Sequence, residues 1–75
     1  MTFNKENLYI GNNKVIYKIY NNTGICLRDS FGGNLGKEIY ISNDYKQCSN
    51  GSEETLKELE DSFNKYIKNR TYNLI

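Results

Sequence analysis

The sequence predicts an α+β domain: an antiparallel three- or four-stranded β-meander followed by one C-terminal α-helix packed on one face. Three observations predict it. A single amphipathic stretch runs from Ser52 to Arg70. The residues before it alternate apolar and polar and are rich in β-branched and aromatic side chains. Clusters of asparagine and glycine interrupt that alternation at the intervals expected of hairpin turns. The composition does not change regime along the chain and no segment repeats, so residues 1–75 are expected to form one domain.

In chain order, Met1 to Asn7 is polar apart from Phe3, which is free to tuck under a sheet. Leu8 to Ile10 reads as a short strand, and Gly11, Asn12 and Asn13 form a turn that tolerates left-handed backbone angles. Lys14 to Tyr20 is the strongest strand signal, closed by Asn21, Asn22, Thr23 and Gly24. Ile25 to Asp29 follows as a third strand and Lys37 to Ser42 as a fourth, with the glycine-containing loop Ser30 to Gly36 between them. Asn43 to Gly51 reads as a polar connection into the helix. Thr71 to Ile75 is open between a small added strand and packing at the core edge.

The helix is justified residue by residue. Leu56, Leu59, Phe63, Tyr66 and Ile67 recur every three or four positions, which stacks them on one side of a 3.6-residue helix. Glu54, Lys57, Glu58, Asp61, Lys65 and Lys68 fill the opposite side. Asn50 (with Glu53 three residues on) and Ser52 are both candidates for the N-cap. Acidic residues in the first turn and basic residues in the last complement the macrodipole. Both signs of charge lie on the polar face, which favours the cover of the chain's own sheet over a membrane-surface helix.

One helix covers one face of a meander. Placing odd positions inward sets Val15, Tyr17, Ile19, Ile25, Leu27, Ile39 and Ile41 against the helix, joined by Leu8 and Ile10. Tyr9, Ile16, Tyr20, Cys26 and Tyr40 are then expected on the uncovered face among Lys14, Lys18, Arg28 and Glu38. Amphipathic rings and arginine are what interface centres favour, so Tyr9, Ile16, Lys18, Tyr20, Arg28 and Tyr40 form the expected protein-binding face, with Phe31 or Leu35 as a further contact at a loop tip. The same residues suit single-stranded nucleic acid, with rings stacking on bases and cations holding phosphates. The near-neutral charge of +1 and Glu38 on the same face disfavour that alternative.

Catalytic chemistry finds little to work with. The chain has no histidine, so neither Cys26 nor Cys48 has an imidazole to activate it, and no zinc ligand set assembles. Cys48, shortly before the helix, is the one hint of a reactive thiol. The carboxylates cluster on a solvated helix face, and the glycines of residues 32–36 lack the spacing and lysine of a phosphate loop. No enzyme activity, cofactor or metal is expected. Two cysteines without an export signal read as free thiols in a cytoplasmic protein, and the apolar runs are too short to span a bilayer. A 75-residue chain buries only about 60% of the surface it exposes when unfolded, less than a larger domain does, so a homodimer or a bound partner would add to its stability. In length, in a meander closed by one helix and in lack of chemistry, the chain resembles small phage or mobile-element proteins that dock on a host factor. That resemblance implies a protein partner and an inhibitor acting by occlusion of a host enzyme or defence complex.

Overall fold

The computed structural model describes residues 3–48, 52–68 and 70. A 3-10 turn at Lys5–Asn7 leads into the strands β1 (Leu8–Gly11), β2 (Lys14–Tyr20), β3 (Thr23–Asp29), β4 (Glu38–Tyr40) and β5 (Lys46–Gln47), and then into the helix α1 (Glu53–Ile67). The fold is α+β, a five-stranded antiparallel sheet with one helix. The extra strand, β5, comes from the polar connection. The expectations for Asn50 and for Thr71 to Ile75 fall outside the described residues.

Strand order is β4-β3-β2-β1-β5. The first hairpin closes with Asn12 at φ 50° and Asn13 at φ 62°, the pair of left-handed residues whose twist matches the flanking strands and which asparagine tolerates best after glycine. Along β2 and β3 the pairing slips twice. Val15 faces Arg28 but Ile16 faces Cys26, so Leu27 is an extra residue on β3; Lys18 faces Gly24 but Tyr20 faces Thr23, so Ile19 is an extra residue on β2. Each bulge bends its strand and reverses the in–out alternation beyond it.

The helix-side core joins Leu8, Tyr17, Ile19, Ile25 and Leu27 to Leu59, Phe63 and Ile67. Phe3 does tuck in: its ring centroid lies 5.3 Å from Tyr17 and 5.6 Å from Phe63, which are themselves 4.3 Å apart. The Tyr17 hydroxyl accepts from the Asn4 amide at 3.2 Å, so its polar end is satisfied while the ring is buried. Ser52 is the N-cap, its hydroxyl accepting from the Thr55 amide at 3.1 Å.

The opposite face is not open. Strands β4 and β5 follow one another in sequence yet occupy opposite edges of the sheet, so residues 41–45 must carry the chain across. They start at the second hairpin, where the Ile41 amide donates to the Asn22 carbonyl at 2.6 Å. They finish beside Gly11, where an added Cβ would stand 2.7 Å from the Asp44 carbonyl oxygen and 3.1 Å from the Tyr45 ring. Gly11 alternates with Leu8 and Ile10, so its missing side chain would point away from the helix and Tyr45 lies on that far face. Tyr45 is buried, and Ile16 and Cys26 are fully buried although they stand outside the helix-side cluster. This strap is the second cover that consecutive-hairpin reasoning omits.

Candidate protein-binding surface

The expected binding face is dispersed by the strap and the bulges. Ile16 is sealed at 0% exposure and leaves the candidate surface. Its cross-strand neighbour Tyr9 is half-buried between it and Gln47. Lys18 faces Gly24 on the same side and is half-buried. Arg28 is turned to the helix side by the extra Leu27 and donates to Glu58 at 2.8 Å. That pair is solvent-exposed and contributes about 0–1 kcal/mol.

Further inward assignments change. Ile10 is expected in the core but is 47% exposed, in the row that it shares with Val15 and Lys46. Ile39 faces Gly24, which sets it on the strap side and not against the helix, and Ile41 begins the strap.

Besides the ion-paired Arg28, three of the expected contact residues are open to solvent: Tyr20, Tyr40 and Phe31. Tyr20 and Tyr40 flank Thr23 from its two sides in one cross-strand row, so their side chains share a face. This row is separate from Tyr9 and Lys18, and no continuous platform of rings and lysines forms.

Phe31 is the most exposed large apolar residue described, at 84%, and Leu35 accompanies it at 42%. Both sit on the loop of residues 30–37, which is built around Asp29. Its carboxylate accepts from the Phe31 amide at 3.0 Å, from the Asn34 amide at 3.2 Å and from the Asn34 side chain at 2.8 Å. The Asp29 carbonyl also accepts from the Gly32 amide. The Phe31 amide first, then the Asn34 side chain and to a lesser extent the Asn34 amide, favour the charged form, and they hold the Asp29 carboxyl below its ordinary pKa.

The far end of the loop is fixed too. Gly36 has φ +76°, and an added Cβ would lie 3.0 Å from the Tyr66 ring, so the helix packs directly on loop backbone. Arg70 donates to the Gly36 carbonyl at 2.8 Å. The loop is therefore a pre-formed platform where glycine content alone suggests a flexible tip. The organising role of Asp29 was not foreseen from the sequence; an aspartate ending a strand just before Ser-Phe-Gly-Gly-Asn was the available signal.

The remaining candidates are quiet. Cys26 is buried, and burial first, then the nearby Asp29 charge, pushes its thiol pKa up, the opposite of activation. Cys48 is half-buried and packs at the core edge. Among the described residues no group of three or more potential ligands is placed to hold a metal ion. No described helix is long and apolar enough to cross a membrane. An open groove of about 340 Å³ lies between the N-terminal segment and the start of α1, with Phe3 and Leu56 as apolar lining and Lys5, Lys57, Glu53 and Glu60 around them. Its two cations and two anions give no net field for a charged ligand. No family model, no curated protein and no solved structure matches this chain.

Proposed function

We propose that this chain is a non-enzymatic protein-binding module that engages its partner through the loop of residues 30–37, with Phe31 as the anchor. One observation supports the reading above others: an 84% exposed phenylalanine on a loop that its own aspartate and glycines hold in one shape. A large apolar ring in water gains by entering a pocket, and a loop already ordered loses little conformational freedom on binding. Leu35, on the same loop, would extend the contact.

The narrower reading is a cytoplasmic inhibitor, of the kind carried by phages or mobile elements, that occludes a host enzyme or defence complex. Its supports are small size, layout and the want of assembled chemistry. The test is affinity capture from the native cell, followed by mass spectrometry, with wild type and the Phe31→Ser/Leu35→Ser double variant. The expected result is one protein recovered in stoichiometric amount by wild type and lost by the variant, whose melting temperature stays unchanged. Recovery of nucleic acid alone, or equal recovery by both forms, would overturn the proposal.

A further inference from the structure

Among the described residues, the two edges of the sheet are unlike. β5 is two exposed polar residues, Lys46 and Gln47, short and charged in the manner that discourages pairing with another chain. β4 reads Glu38, Ile39, Tyr40 and continues into Ile41, with Tyr40 66% exposed.

The direction of the β4 backbone groups follows from its pairing with β3. The Ile41 amide donates to Asn22 and the Cys26 amide donates to the Lys37 carbonyl. The Ile41 amide and the Lys37 carbonyl therefore point inward, and so, by alternation, do the backbone groups of Ile39 opposite Gly24. Glu38 and Tyr40 fall between them and direct both amide and carbonyl away from the sheet.

We infer that β4 pairs with β4 of a second copy of this chain, antiparallel about a two-fold axis at Ile39. The occupant is a second copy because the register is self-complementary. With Ile39 opposite Ile39, Glu38 of each copy stands opposite Tyr40 of the other, and these are the residues with outward donors and acceptors. Two reciprocal pairs give four backbone hydrogen bonds, and the contact closes at two subunits because both edges used are then consumed. The two Tyr40 rings take diagonal positions on one face, within reach of each other. Three residues per edge bury well under the area of a standard stable interface, so the association is weak, with a dissociation constant on the order of 0.1 mM. The inference does not depend on the Phe31 loop, whose residues the pairing does not use.

Sedimentation velocity between about 10 µM and 1 mM tests it, read with concentration-dependent amide shifts in a nitrogen-15 NMR spectrum. The expected result is a mass rising from 8.8 kDa towards its double, with shifts at Glu38, Ile39 and Tyr40 and none at Lys46 or Gln47. Tyr40→Pro removes an outward donor that the monomer's own ladder does not use. It is expected to weaken the dimer at least tenfold, two backbone bonds being lost. Ile39→Lys, which sets like charges at the axis, is the second variant should the proline disturb the strand. A constant monomer mass, or shifts centred on β5 or the Phe31 loop, would overturn the inference. So would undiminished association of either folded variant.

Discussion

Gly24 shows how much of this fold rests on the absence of one atom. A Cβ there would stand 2.2 Å from Ile16 Cγ2 and 2.6 Å from the Tyr17 carbonyl oxygen. The second contact is backbone and cannot swing aside. Gly24→Ala is expected to destabilise by about 2 kcal/mol through overpacking, seen as a lower urea midpoint with unchanged slope. Asp29 gives a pH-dependent counterpart. Its folded-state pKa lies below the ordinary value, so the stabilisation it lends is complete above the unfolded pKa of about 3.9 and fades as pH falls through the folded one. The Phe31 and Asn34 amides should therefore keep their chemical shifts down to about pH 4 and move only below it. Movement already near pH 6 would remove Asp29 as the organiser of that loop.

Among the elements, the helix and the first hairpin were the most legible. The 3.6-residue recurrence of Leu59, Phe63 and Ile67 and the pair Asn12–Asn13 are local signals that tertiary context left alone. Phe63 lies under both Phe3 and Tyr17, so Phe63→Ala is expected to cost about 3–5 kcal/mol. That is a large part of the total for a chain of this size, and thermal melting followed by circular dichroism should show the transition lowered by well over ten degrees or lost. The strands were found but their faces were not. Strict alternation places Arg28 beside Lys18, and an extra Leu27 moves it to Glu58. Nothing in the residues 23–29 announces that bulge, because Leu and Ile are as much at home in a bulge as in a regular ladder. The expected binding face failed at this step, and Phe31, a loop residue independent of alternation, remained where it was expected.

At the scale of the whole molecule, the sheet is covered on both sides, by α1 on one and by residues 41–45 on the other. Such a crossing has no local signature: Ile41 to Tyr45 looks like any polar connection until the strand order is known. It gives the two cysteines different fates. Cys26 is fully buried with a raised pKa, while Cys48 is half-buried. Iodoacetamide at pH 8 should modify Cys48 first and Cys26 only as the molecule opens, with the difference vanishing beyond the urea midpoint; peptide mass mapping over time reads it. Equal initial rates would mean that the strap does not seal.

The pairing of β1 with β5 also sets an order of events at the ribosome. Tyr9 meets Ile16 almost at once but waits for Gln47, so one flank of the first strand leaves the exit tunnel before its neighbour on that side does. Nascent Leu8, Tyr9 and Ile10 form an apolar ribbon with a bare side during that interval, a natural docking place for a chaperone and the point at which crowded polysomes would let one unfinished chain snag another.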